Sequence, residues 1–285
     1  IATVKYTLWC DQEGFVIDDG TLFRISDNDF RLCSQEKHLP WLIDTSYGFD
    51  VEIIDESKHI CGISLQGPTS ASILRLLGVN GIDNLKPFHL FQTKISNMPV
   101  MISRTGFTGD LGYEMFMKNN VANKIIDKVW NAGTNHGLTA IGYNALNMAR
   151  IEAGFLVANI DFIPSDHAIR PDRCRRPEDL GLGWLVDFNK GFFNGKKAIL
   201  NNKLKSGNAF KIYALEIDGK EPVEGSIIYY NKKDEVGTVT SAIWSPMTKK
   251  SIALAQLKLD SPKSKMENLW VEIYALKELQ YYKLM

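Results

Sequence analysis

Ser103-Arg104-Thr105-Gly106-Phe107-Thr108-Gly109-Asp110-Leu111-Gly112-Tyr113-Glu114 holds three glycines within seven residues, between the apolar runs Pro99-Val-Met-Ile102 and Met115-Phe-Met117. Glycine at this density marks positive φ angles or a close approach of backbone. The stretch predicts a strand, a tight connection and a second strand, with Tyr113 and Glu114 where the second strand begins. Taken alone, it also suits an ordinary hairpin.

The flanks extend this antiparallel reading. Residues 1–66 alternate strands and turns, with strand candidates at Phe15–Gly20, Phe30–Cys33, Asp50–Ile54 and Ile60–Gln66. Glu36–Thr45 suits a helix if Pro40 sits in its first turn. Pro68–Leu77 has a proline near its start, Ile73, Leu74 and Leu77 on one face, and Gly78 after it. Residues 121–132 give the clearest helix. Val121, Ile125, Val129 and Trp130 form its apolar stripe, Asn119 or Asn120 can cap it, and Gly133 ends it. Tyr143–Ala153 reads as another helix, closed by Gly154. Asn159–Glu178 is a long polar connection containing Arg170, Arg173, Arg175 and Arg176, read either as a solvated loop or as a cationic rim for an acidic ligand tail.

A boundary is expected near Asn201–Asn208, where Asn, Lys, Ser and Gly accumulate. Short strands follow at Lys211–Ile217, Ser226–Tyr230, Glu235–Ser241, Ile252–Leu257 and Leu269–Ile273. Their regular spacing predicts a small β-barrel or jelly roll.

Composition narrows the function classes. The chain has 285 residues, and 33 Lys+Arg balance 33 Asp+Glu. Neutral balance argues against nucleic acid as the main partner. No window approaches the length of an apolar membrane span, so no membrane partner is expected. The start lacks the pattern of a secretory signal, and Ile1 in place of Met suits a fragment or a processed product. Four scattered cysteines, with no C-x-x-C pair, suit buried thiols in a reducing, cytoplasmic setting. Five dispersed histidines give a metal site no support. Oligomeric state is not readable.

Among the acids, Asp18-Asp19 closes an apolar run before Gly20. Adjacent residues on a strand face opposite ways, so one of the two would normally face a given pocket. A carboxylate beside an apolar ligand can exchange a proton with it; an ordinary turn acid is the plainer reading.

The glycine stretch resembles the Arg-x-Gly-[Tyr/Phe]-Thr-Gly-[Glu/Asp]-x-Gly-Tyr-Glu signature of the glycine-cleavage T-protein family of folate-dependent aminomethyltransferases and demethylases. Further resemblances follow in the family's order. They are Tyr6-Thr7 with Gly14-Phe-Val-Ile-Asp-Asp19, Leu65-Gln-Gly-Pro68, Arg150-Ile-Glu-Ala-Gly154, Leu180-Gly-Leu-Gly-Trp184 with Lys190–Lys196, and Gly237-x-Val-Thr-Ser241 with Ser245-Pro246 and Ile252–Ala255. Relative to the family pattern, roughly 80–90 residues that usually precede Tyr6 are missing from this sequence.

The resemblance implies an α+β fold of three lobes around a central cleft. Two are antiparallel sheet-plus-helix lobes and the third is a C-terminal β-barrel or jelly roll. The folate-binding region would cover 1–200, one lobe from about 1–50 with 136–200 and the other from 51–135, and the barrel 201–285. It implies tetrahydrofolate as cofactor. Asp19, favoured over Asp18, would be the catalytic acid, and Tyr6 would line the same pocket. Glu114 would accept paired hydrogen bonds from the pterin's donor edge. Tyr113 would pack on the pterin or on the sheet, and Arg150 and Glu152 would either touch folate or form an intrahelical or helix-terminal ion pair.

The implied activity moves a methyl or methylene unit from a small methylated or aminomethyl donor to tetrahydrofolate. Ala145-Leu146-Asn147 stands where the glycine-cleavage branch has Ala-Arg-Asp, and the segment 30–41 is shorter than in that branch. Both features favour an N-methyl demethylase over an enzyme acting on a lipoyl carrier protein. A non-catalytic folate-binding factor is a third reading, against which Phe192 stands where such factors carry a cysteine.

Overall fold

The computed structural model describes residues 1–204, 210–219, 223–258 and 268–273. In chain order the elements are β1 (Thr3–Cys10), β2 (Val16–Arg24), β3 (Phe30–Ser34), α1 (Leu39–Ser46), β4 (Ile60–Gln66), α2 (Ser70–Leu76), β5 (Leu90–Ile95), β6 (Met98–Ser103), β7 (Gly112–Lys118), α3 (Asn119–Gly133) and α4 (Tyr143–Glu152). Then come α5 (Lys196–Leu204), β8 (Phe210–Ile217), β9 (Ile227–Tyr230), β10 (Asp234–Ser245), β11 (Lys250–Lys258) and β12 (Leu269–Val271). Single 3₁₀ turns lie between several of them.

The strands form three sheets, ordered β1-β2-β3, β4-β7-β6-β5 and β12-β9-β10-β11-β8. The described ladders are antiparallel. The fold is α+β, as expected. Two compact units share the chain: residues 1–7 with 20–146, and residues 8–19 with 147 onward.

In the first unit, the four-stranded sheet uses its two faces differently. Leu65, Ile102, Tyr113, Met115 and Met117 point to one side, where α2 and α3 bring Ile73, Leu74, Ile125 and Val129 into a common core. Alternation along a strand sends Glu114 and Phe116 to the other side. There Phe116 meets Phe23 edge-to-face at 5.1 Å, beside the cluster of Val4, Phe23, Leu90 and Met101.

The second unit carries the five-stranded C-terminal sheet. Val223, Ile228, Val239, Ala242, Ala253, Ala255 and Leu257 form its core. Register shifts at Glu235/Gly237 and Val239/Ser241 bend β10, the central strand.

The helix read most clearly from the sequence is α3, but its buried face is Ala122, Ile125, Val129 and Gly133, and Trp130 is 46% exposed. Lys118 takes the N-cap position, while Asn119 lies inside the helix and donates its Nδ2 to Lys58 O at 2.6 Å. Asp50–Ile54 forms no strand, and Val51 and Ile54 are exposed. The boundary expected near Asn201–Asn208 falls largely outside the described residues.

Candidate active site

The glycine-rich connection is organised by one side chain, Gln66, at the end of β4. Its Nε2 donates to Ser64 Oγ at 2.9 Å and to the carbonyls of Thr105 and Tyr113 at 3.3 and 3.4 Å. Thr108 Oγ1 donates to its Oε1 at 3.3 Å. A β-carbon on Gly106 would stand 2.1 Å from Gln66 Oε1, and one on Gly112 only 1.7 Å. These two glycines leave room for the Gln66 amide, whereas Gly109 turns the chain at φ +76°. The Gln-Gly-Pro and Gly-rich motifs are therefore two halves of one clasp.

The clasp sets Glu114 on β7, in register with Ser64 on β4 and Ser103 on β6. Thr105 Oγ1 donates to Glu114 Oε2, and Ser103 Oγ lies 2.6 Å from Thr105 Oγ1. Burial pushes the Glu114 carboxyl above the usual carboxylate range, and the Thr105 hydrogen bond partly offsets this. Cys33 on β3 adds no negative charge, because burial holds its thiol up at about 11. Tyr113, expected beside the cofactor, points to the opposite face and is 2% exposed in the sheet–helix core. Tyr6 is half-buried on β1, in the first unit.

The remaining expected residues lie in the second unit. Asp18 is 1% exposed, and its Oδ1 accepts the backbone N–H of Asp19 at 2.8 Å. Asp19 is the more exposed carboxylate of the pair.

Arg150 sits in the last turn of α4, which ends in a Schellman motif. Phe155 N–H donates to Arg150 O at 2.8 Å, Gly154 N–H donates to Ile151 O at 3.0 Å, and Gly154 has φ +75°. The Arg150 guanidinium is committed to protein. It donates to Asn147 Oδ1 at 2.8 Å, Phe155 O at 3.0 Å, Asp161 Oδ2 at 2.5 Å and Ser241 Oγ at 2.7 Å. Asp161 also accepts from Val157 N–H at 2.9 Å, Thr240 Oγ1 at 2.7 Å and Ser241 Oγ at 2.6 Å. Four donors thus meet the carboxylate's four lone-pair sites. Glu152, one turn end away, accepts from Ser245 Oγ at 2.5 Å. Arg150 is ion-paired with Asp161, an acid beyond the helix, and Glu152 takes a separate partner. Asp161 lies in the connection read as polar and carries no signature of its own.

The four arginines of that connection divide. Arg175 is buried, donates to Gln256 Oε1 at 2.7 Å and stacks on Phe210. Arg176 stacks on Phe15. Arg170 is exposed beside Asp172, and Arg173 is exposed as well.

Among the described residues, no cluster of three or more His, Cys, Asp or Glu could hold a metal ion, and no helix is long and apolar enough to cross a membrane.

The carboxylate sheet and the C-terminal β-domain match known proteins as well as the motifs. Residues 1–190 match the family model described as the GCVT N-terminal domain, and residues 211–278 match the glycine cleavage T-protein C-terminal barrel domain. The chain belongs to the glycine-cleavage T-protein family. Relatives named aminomethyltransferase place it in an enzyme family. The one from Halothermothrix orenii is 29% identical over 261 residues, covering 90% of this chain and 70% of that protein. The one from Thermoanaerobacter sp. (strain X514) is 33% identical over 260 residues, covering 88% and 67%. A trimethylamine-oxide aldolase from Ruegeria pomeroyi is 31% identical over 272 residues, covering 90% of this chain but 33% of that protein. The chain therefore spans about two thirds of the length of the aminomethyltransferases and one third of the aldolase. The crystal structure of the glycine cleavage system aminomethyltransferase T from Bartonella henselae shares the fold, with a TM-score of 0.82 at 23% identity over 96% of this chain and 72% of that one.

Proposed function

We propose that this protein is a tetrahydrofolate-dependent one-carbon transferase, with the folate-binding part in residues 1–200 and the C-terminal barrel in 201–285. The observation that carries the reading is Glu114. It is a largely buried carboxylate fixed by one hydroxyl, and Thr105 is its one hydrogen-bond donor among the described residues. A desolvated acceptor pair of this kind suits the paired N–H donors of a reduced pterin, because such bonds are charge-assisted on the acceptor side. Tetrahydrofolate supplies the nitrogens that receive the one-carbon unit.

The protein's share of the work is to bind, orient and exclude water, with one acid to manage protons. Asp19 takes the acid role, since Asp18 is buried and turned onto the Asp19 backbone. Tyr6 lines the folate pocket. Arg150 and Glu152 act on architecture: they hold α4 to β10.

The donor is a small methylated or aminomethyl compound. Leu146 supports this, as it stands where the glycine-cleavage branch carries an arginine. Aminomethyl transfer from a lipoyl carrier protein is the second reading; the relatives' name supports its aminomethyl part.

Calorimetric titration of tetrahydrofolate tests the proposal. Binding by the wild type that is lost in Glu114→Ala supports it, and donors are then screened with and without a lipoylated carrier. Equal binding by both proteins removes Glu114 from the site.

A further inference from the structure

The face of β7 that carries Glu114 has a feature that the pterin-binding reading does not use. Ser103 is fully buried and Thr105 nearly so, and the two hydroxyls touch each other. Thr105 has one hydroxyl hydrogen, and it goes to Glu114 Oε2. The Ser103–Thr105 contact must then run from Ser103 as donor to Thr105 as acceptor. Two aligned hydroxyl dipoles in a dry site polarise one another and end on the carboxylate.

We propose that Ser103 and Thr105 are positioning residues: a two-hydroxyl relay that fixes one lone pair of Glu114 Oε2 and leaves Oε1, with the second lone pair of Oε2, for an incoming pair of N–H donors. The inference rests on Glu114 as the pterin-holding carboxylate and adds the device that aims it.

The surroundings show why a relay is needed. On the Glu114 side lie Cys33 from β3, Ser64 and Gln66 from β4, Ser103 from β6, and Thr105 from the connection, while Arg31 of β3, which acts on the Cys33 thiol, is paired with Glu56. No charged group acts on the Glu114 carboxyl among the described residues, and the Cys33 thiol stays protonated at neutral pH. Burial alone would favour the neutral acid, which has one oxygen fewer to offer as an acceptor. The Thr105 hydrogen bond opposes burial there. The Gln66 clasp holds Thr105 through its carbonyl, so the hydroxyl's aim follows from the motif's glycines.

The test separates the relay from the folate reading. The titration of the Glu114 side-chain carboxyl is followed by carbon-13 NMR in ligand-free wild type, Thr105→Val, Thr105→Ser and the double variant Ser103→Ala/Thr105→Val, which leaves no buried hydroxyl stranded. The expected result is an upward move of the Glu114 titration in Thr105→Val and in the double variant, with Thr105→Ser returning it to the wild-type position. An unmoved titration in both Val variants overturns the relay, whatever the ligand. Tetrahydrofolate is then titrated into the same proteins at pH 7.5. About tenfold weaker binding in Thr105→Val, rescued in Thr105→Ser, is expected for loss of one bond to a charged group. Equal binding by Thr105→Val and wild type also overturns the proposal. If the wild type binds no folate while the NMR result holds, the folate reading fails and the relay stands.

Discussion

The Gln66 amide occupies the space where a side chain on Gly112 would begin, 1.7 Å from an ideal β-carbon. Since Gly112 does not have positive φ, it is required here for room rather than for conformation. Gly112→Ala is therefore expected to destabilise the protein by about 1–3 kcal/mol through overpacking. Truncating the obstacle should restore part of this, so Gln66→Ala/Gly112→Ala is expected to be less destabilised than the sum of the single variants. Urea unfolding of the four proteins checks it; strict additivity would mean that the two residues do not share this space.

The buried Arg150–Asp161 pair gives a larger effect. Both side chains are almost fully buried, and Asp161 is met by four donors. Removing one partner leaves an uncompensated buried charge, so Asp161→Ala is expected to cost about 3–5 kcal/mol. Arg150→Met/Asp161→Leu should cost less than Asp161→Ala, because neither charge is then stranded. Thermal unfolding with a folate-binding assay on the surviving folded fraction decides it. A selective loss of folate affinity in Arg150→Met, without loss of stability, would return Arg150 to the ligand.

These two networks explain how much could be read from the sequence. The strand–connection–strand unit at 99–117, the helices α2 to α4 and the five C-terminal strands were legible because each leaves a local period or a punctuating glycine. β5 leaves a signal of the same kind, since Leu90-Phe-Gln-Thr-Lys-Ile95 alternates and Ser96-Asn97 makes its turn with both residues at positive φ. Asp50–Ile54 alternates as well but forms no strand, so alternation alone does not decide pairing. Asp161 was beyond sequence reading: its meaning lies in Ser241 and Thr240, some 80 residues on. Motif order did place Arg150-x-Glu152, Val239-Thr-Ser241 and Ser245-Pro246 in one family pattern, but only the fold shows Arg150 donating to Ser241 and Ser245 donating to Glu152.

The Glu114 carboxyl predicts a pH-dependent trade between stability and function. Its folded-state titration lies above that of an exposed glutamate, so between the two values the folded protein binds more protons than the unfolded chain. Stability from this group consequently falls as pH rises through that window, and ionised Glu114 is a net burden above it. Glu114→Gln is expected to raise the melting temperature near pH 7.5, with a gain that shrinks towards pH 4, while losing folate binding. Melting scans across that range check the sign. A gain that grows in acid would contradict the raised titration.

The acids at the end of the apolar run in β2 separate by exposure. Asp18 is buried and accepts the Asp19 backbone N–H, so Asp18→Asn is expected to act first on folding, shifting the unfolding midpoint with turnover per folded molecule largely kept. Asp19 is the more exposed of the two and carries the proposed proton-handling role. Asp19→Asn keeps size and hydrogen bonding but cannot exchange a proton at neutral pH. It is expected to leave tetrahydrofolate affinity within a few-fold and to reduce turnover by about 10²–10⁴, the usual contribution of a positioned acid or base. Single-turnover measurements with a donor identified by the screen, beside calorimetry on the same preparations, separate the chemical step from binding. Turnover surviving in Asp19→Asn but lost in Asp18→Asn would reverse the two roles, and would require Asp18 to leave its buried position during the reaction.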